Sequence, residues 1–231
     1  MNLFYQPALI NGIHHLNEEE SRHAVKVLRL KADDELQLTD GVGSFYQAKI
    51  KEADHKKCTF TIIEKEFILP RKFSIAIAIA PTKNIDRTEW FVEKAVELGV
   101  EHIHFVQCKN SERKNINLDR IEKIAISAMK QSGQAWFPKI SEIKPFEEII
   151  PLQADQKFIC FVDSQNPNQL KALAHPDKSY QVLIGPEGDF RQDELELAMT
   201  HGYTKVGLGP NRLRTETAAL SACHTLNLVN L

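Results

Sequence analysis

Two stretches near the C-terminal end of this 231-residue chain carry the residue types that could do chemistry. They are Leu183–Phe190, reading LIGPEGDF, and Leu208–Leu220, reading LGPNRLRTETAAL. Each is an apolar, strand-like run that breaks into a Gly/Pro turn and then opens a helix. Ligands of open α/β sheets bind beyond the carboxyl ends of the strands, where such turns lie. Gly185 and Gly188 offer backbone freedom and close approach, and Pro186 stiffens the loop between them. Glu187 and Asp189 make the loop acidic, whereas a phosphate-cradling loop carries Lys. An acidic turn suits a ligand rich in donors or positive charge, such as a nucleoside bearing an amino and a sulfonium group. Arg214, Thr215, Glu216 and Thr217 stand at the mouth of a helix that runs to about Leu228. Thr215 and Glu216 can also serve there simply as partners for the helix's first backbone N–H groups.

The elements that must hold these turns alternate strand with helix. Phe73–Ala80 reads as a strand, and Asp86 as the cap of a helix with Glu89 three residues on. Phe91, Ala95 and Leu98 form the apolar stripe of that helix, and Gly99 ends it. His102–Val106 is the next strand. A second amphipathic helix follows through Leu118, Ile121, Ala125, Ala128 and Met129. Further strands fall at Lys157–Val162, Tyr180–Ile184 and Thr204–Leu208, with helices at Gln192–His201 and Glu216–Leu228. This alternation predicts an α/β fold with a mostly parallel sheet.

Upstream of a linker at Phe67–Arg71 the pattern differs. Asn17 and Glu20 form a capping-box start to a helix through SRHAVKVL, whose spacing places Arg22, Lys26 and Arg29 on one face. Strand-like runs at Glu35–Thr39, Phe45–Ile50 and Cys58–Ile63, with a turn at Asp40-Gly41, suit a small β-barrel.

Composition excludes several classes. No run is apolar enough to span a membrane, and MNLFYQPALI lacks the basic start of a secretory leader, so a cytoplasmic protein is expected. Cys58, Cys108, Cys160 and Cys223 are far apart, and neither they nor the nine His residues show metal-ligand spacing; no metal is expected. GVGSFY at Gly41 and GLGPNR at Gly207 lack the third glycine of a dinucleotide fingerprint, and there is no GxSxG. The net charge of −2 hides a local excess of 12 basic over 8 acidic residues in 71–140, so any RNA-binding face must be a patch.

Taken in order, the two C-terminal stretches, PTKNIDRTEWFVEKAVELGV at Pro81–Val100, and HAVKVLRLK after His14-His15 closely resemble the RsmE family of 16S ribosomal RNA uridine-N3 methyltransferases. That family belongs to the SPOUT class. The resemblance implies a PUA-like RNA-binding β-barrel at 1–70 and a trefoil-knotted SPOUT α/β methyltransferase domain at 71–231. The knotted loops would bind S-adenosylmethionine through Ile184, Gly185, Pro186, Glu187, Gly188, Leu208, Gly209, Leu213 and Thr217. Arg214 would orient the uracil or stabilise its developing charge, and Glu216 would orient Arg214. Arg22, Lys26, Arg29, Lys83, Arg87, Arg113 and Gln131 would contact RNA. The implied partners are the 16S ribosomal RNA of the small ribosomal subunit and a second copy of the chain, docked along Ala218, Leu220 and Leu226. Gln134 and Asn211-Arg212 depart from the family pattern. Another SPOUT enzyme, methylating a ribose 2′-oxygen, and a non-catalytic RNA-binding assembly factor are the alternatives.

Overall fold

The computed structural model describes residues 3–163 and 165–231. The chain divides into two compact units. One consists of residues 1–70 with Ile126–Phe137, the other of Arg71–Ala125 with Pro138–Leu231.

The first unit contains β1 (Leu3–Tyr5), a 3₁₀ turn at Pro7–Asn11, α1 (Glu18–Arg22), β2 (Glu35–Thr39), β3 (Ser44–Glu52) and β4 (Thr59–Phe67). The strands form one sheet in sequence order, β1 parallel to β2 and the rest antiparallel. Phe4, Leu16, Leu36, Leu38, Ile50 and Phe60 fill its core. Asn17 caps α1 as expected, its Oδ1 accepting from the Glu20 N–H at 2.8 Å.

Beyond α1 the helix widens into a π turn over His23–Val27, and Arg29 sits at φ 58°. Arg22, Lys26 and Arg29 therefore do not share one α-helical face. The wider turn shifts the register, and Arg29 leaves the helix in a left-handed conformation that non-glycine residues rarely adopt.

The turn after β2 is built on buried Asp40, whose carboxylate accepts from the N–H groups of Val42 and Ser44 and from the Tyr46 hydroxyl. Gly43 donates to the Ala135 carbonyl and Phe137 donates to the Gly41 carbonyl. A Cβ on Gly43, at φ 105°, would come within 2.4 Å of the Trp136 ring. These contacts tie Ile126–Phe137 to the first unit, so 71–231 is not the single unit that the sequence suggests.

The second unit holds β5 (Ser74–Ile79), α2 (Ile85–Glu97), β6 (His102–Gln107) and the start of α3 (Leu118–Ser132). After these come β7 (Lys139–Pro145), α4 (Phe146–Ile149), β8 (Gln156–Cys160), α5 (Leu170–Leu173) and β9 (Ser179–Ile184). The chain ends with α6 (Gln192–Thr200), β10 (Tyr203–Val206) and α7 (Thr215–Val229). All six strands are parallel, in the order β10-β8-β9-β5-β6-β7.

Ile75, Ile77, Ala78 and Ile79 of β5 are fully buried, as the near-continuous apolar run of a doubly covered parallel strand requires. The mixed α/β class and the small β unit are as expected. One cap differs: Asn84, not Asp86, precedes α2, and its Oδ1 accepts from the Asp86 N–H at 3.1 Å. Asp86 lies in the first turn, where a carboxylate favours the helix dipole without capping.

Candidate active site

Three adjacent strands, β10, β8 and β9, end on one side of the sheet, and the loops that leave them enclose a cleft of about 950 Å³. The β9 wall is Ile184, Gly185, Pro186, Glu187 and Asp189; the β10 wall is Val206–Thr215 with Ala218. The Thr215 hydroxyl ties the two walls together by donating to the Gly185 carbonyl at 3.1 Å. Thr215 therefore joins the loops; as the first residue of α7 it does not occupy the cap position, which is Arg214. The third wall, Cys160–Asp163 with Asn166 and Gln169, was not anticipated, although the strand leading into it was. The overlooked signal was the Asn/Gln/Asp-rich run that directly follows that strand.

The acidic side chains of the β9 loop brace it. Asp189, at φ 60°, accepts from the Val162 N–H at 3.0 Å and from the Phe190 N–H at 2.8 Å. Glu187 accepts from the Lys83 N–H at 2.9 Å. Their charge thus stabilises neighbouring backbone, a correction to the idea that it selects a cationic ligand directly. Asp163 pairs with Lys205 at 2.6 Å, and that hydrogen bond holds its carboxyl below the usual carboxylate range. Burial, reinforced by Asp189, pushes the Cys160 thiol up to about 12, so it stays protonated at neutral pH.

The positive φ expected at a cleft glycine falls at Gly209, φ 118°, with open space where a Cβ would point. Its N–H donates to the Gln169 Oε1 at 2.9 Å. Gly185 and Gly188 do not have positive φ. Gly185 lets the ring of Phe190 come close, since a Cβ at this position would stand 3.1 Å from that ring. Gly188 is not part of the cleft wall; a Cβ there would meet the Asn110 side chain at 3.3 Å. Thr217 is exposed and also lies off the wall, because in the first turn of α7 it is Thr215 and Ala218, three residues apart on one face, that line the cleft.

Comparison with known proteins shows what this architecture belongs to. Residues 69–227 match the family model of an RNA methyltransferase domain, and residues 16–63 that of an RNA methyltransferase PUA domain. The small-subunit ribosomal RNA methyltransferase E of Buchnera aphidicola (Acyrthosiphon pisum strain) is 31% identical over 227 residues, covering 94% of this chain and 88% of that protein. The chain belongs to the ribosomal RNA small subunit methyltransferase E family. A probable rRNA methyltransferase from Porphyromonas gingivalis superposes over 100% of this chain and 98% of its own, with TM-score 0.93 and 42% identity. The family's Neisseria gonorrhoeae member, solved bound to S-adenosyl methionine, superposes over 100% and 98% with TM-score 0.87 and 25% identity.

Arg214 lines the cleft, is exposed, and occupies the position before α7 without capping it. Glu216 does not pair with it. Glu216 is 7% exposed, and its carboxylate faces the Arg87 guanidinium at 3.9 Å, so the expected Glu216–Arg214 link is replaced by one to α2. The geometry explains the change: residues two apart at a helix start point in different directions.

Arg113 is likewise committed, donating to the carbonyls of Thr82 at 2.9 Å and Lys83 at 2.6 Å. Its guanidinium holds a loop and is not a free phosphate contact. The Lys83 ammonium pairs with Glu112 at 2.8 Å. Arg22 pairs with Glu18 at 2.8 Å; Lys26, Arg29 and Gln131 are exposed. Gln134 donates to the Ser132 hydroxyl at 3.0 Å, and Asn211 and Arg212 lie on the cleft wall. Among the described residues no group of three or more His, Cys, Asp or Glu side chains is placed to hold a metal ion.

Proposed function

We propose that this chain methylates N3 of a uridine in 16S ribosomal RNA of the small subunit, using S-adenosylmethionine, as a homodimer. The observation that carries the reading is the 950 Å³ cleft at the carboxyl ends of β8, β9 and β10, with Arg214 on its wall. The cleft's chemistry fits the cofactor. The wall mixes apolar side chains with the backbone groups of Gly185, Leu208, Gly209 and Leu213, which suit adenine and ribose, and Gly209 leaves open space beside them. S-adenosylmethionine supplies an activated methyl group on a good leaving group, so little covalent chemistry is asked of the protein.

The residues then act by position. Holding the acceptor nitrogen in line with the methyl carbon provides most of the rate. As the N3 proton passes to solvent water, negative charge spreads to the uracil carbonyls, and the Arg214 guanidinium offers a planar donor fork for that edge. Lys26 and Arg29, both exposed, supply cations for RNA phosphates.

The test is nucleoside mass spectrometry of small-subunit RNA from cells lacking the gene, before and after incubation with the protein and S-adenosylmethionine. Appearance of 3-methyluridine is expected. A 2′-O-methylated nucleoside, or no methylation, would refute the reading.

A further inference from the structure

Outside the cleft, three loops close a ring of hydrogen bonds at the carboxyl ends of β9, β5 and β6, which are neighbours in the sheet. The loop after β6 reaches the β9 loop through Asn110, whose Nδ2 donates to the carbonyls of Gly188 at 3.2 Å and Asp189 at 3.1 Å. The same loop reaches the β5–α2 loop through Arg113, which donates to Thr82 and Lys83. The β5–α2 loop returns to the β9 loop when the Lys83 N–H donates to Glu187. Lys109 adds a fourth tie, its backbone N–H donating to Glu194 at the start of α6 at 2.8 Å.

Asn110 does not line the cleft, yet both carbonyls it holds belong to the turn that does. A second observation points to the same residue. Asn110 packs closely on Gly188, where a Cβ would sit 3.3 Å from the Asn110 Cβ, tighter than an ordinary contact. Gly188 thus serves packing on Asn110, and the PEGD turn is held from behind.

We infer that Asn110 is a positioning residue for the cofactor, setting the Pro186–Asp189 turn through its two hydrogen bonds without touching the ligand. This rests on the proposed function, because it takes the ligand of that turn to be S-adenosylmethionine. Asparagine suits the role for a definite reason: its amide is a donor facing two acceptors. Aspartate has the same shape but would aim a carboxylate oxygen at two carbonyl oxygens, leaving both without a partner and adding repulsion.

The experiment is calorimetric titration of S-adenosylmethionine into the full-length wild type and into Asn110→Ala, Asn110→Asp and Asn110→Gln, with thermal melting of each. Absence of binding by the wild type would defeat the proposed function itself. Given wild-type binding, Asn110→Ala is expected to raise Kd about five- to tenfold, the scale of one or two modest hydrogen bonds. Asn110→Asp should raise it further, and Asn110→Gln, which keeps the donor, should recover part of the loss, all with melting temperatures close to wild type. In single-turnover methylation at saturating cofactor the rate of Asn110→Ala should approach wild type, because the defect is in binding. Wild-type affinity in Asn110→Asp would overturn the inference. So would equal losses in all three variants that track falling melting temperature, which would mark Asn110 as general scaffolding.

Discussion

Arg214 and Arg113 lie in the same unit and carry the same guanidinium, yet their surroundings give them opposite roles. Arg214 is exposed on the cleft wall, whereas Arg113 spends its donors on the carbonyls of Thr82 and Lys83. If Arg214 stabilises charge that develops only as N3 loses its proton, Arg214→Ala should slow single-turnover methylation about 10²–10³-fold while changing cofactor affinity little. Lysine there should restore only part, because a point charge lacks the planar fork. Wild-type rates for Arg214→Ala with both substrates saturating would reduce its role to binding. Arg113→Ala should behave differently. It should lower stability by roughly 1.5–3 kcal/mol, the scale of hydrogen bonds to a charged group, and leave the salt dependence of RNA binding unchanged. Denaturant melts and a salt series of RNA titrations would check the pair of outcomes.

At the scale of elements, most of the α/β pattern was legible in sequence. Alternating apolar runs and 3.6-residue stripes fixed β5, β6, β8, β9, β10 and helices α2, α3, α6 and α7 to within a few residues, because burial on a parallel sheet leaves a strong pattern. β7, reading KISEIKP, escaped notice because it is an edge strand carrying three charged side chains among seven residues. α4 and α5 are single turns too short for periodicity.

The site was half legible. The two glycine-bearing turns and Arg214 were visible, but the Asn166/Gln169 wall, the Glu216–Arg87 pairing and Asn110 depend on contacts between distant segments. Glycine type alone also misplaced the strained backbone: Gly188 carries none, and Gly209 does. A side chain at Gly209 would demand a φ that L-residues avoid. Gly209→Val should therefore cost about 1–3 kcal/mol or more and displace the N–H that Gln169 accepts. Loss of cofactor affinity in calorimetry, beyond any fall in melting temperature, is the expected result.

For the molecule as a whole, acidity and assembly are the measurable properties. His104 of β6 stacks with His102 at 5.9 Å between ring centres. Burial, then the charges of His102 and Lys144, lowers its pKa from 6.5 to about 4. Between those values the unfolded chain binds a proton that the native chain refuses, so stability falls as pH drops from 6.5 toward 4. After discounting for solvent screening, the loss is on the order of 2 kcal/mol. Denaturant midpoints against pH should show this limb, and His104→Gln should flatten it.

Assembly is a separate matter. Leu226 is fully buried within the second unit, whereas Ala218 and Leu220 are half-buried, so part of the apolar stripe on α7 is used inside the fold and part keeps exposed surface. The proposed dimer would add the exposed Leu228, which is 54% exposed, to the half-buried Ala218 and Leu220. Light scattering at micromolar protein should give twice the chain mass; a fully active monomer would refute the dimer.

The polypeptide passes from one unit to the other and back: out after Pro70, in again for Ile126–Phe137, and out for the remainder. The two units are consequently not two successive segments of the sequence. A fragment ending at Pro70 would lack Trp136, whose ring lies against Gly43, and Phe137, whose N–H the Gly41 carbonyl accepts. A fragment beginning at Arg71 would carry those residues with nothing to receive them. Neither half can be lent to another protein by a single cut and join. Moving the first unit intact would therefore mean carrying residues 1–70 and Ile126–Phe137 together.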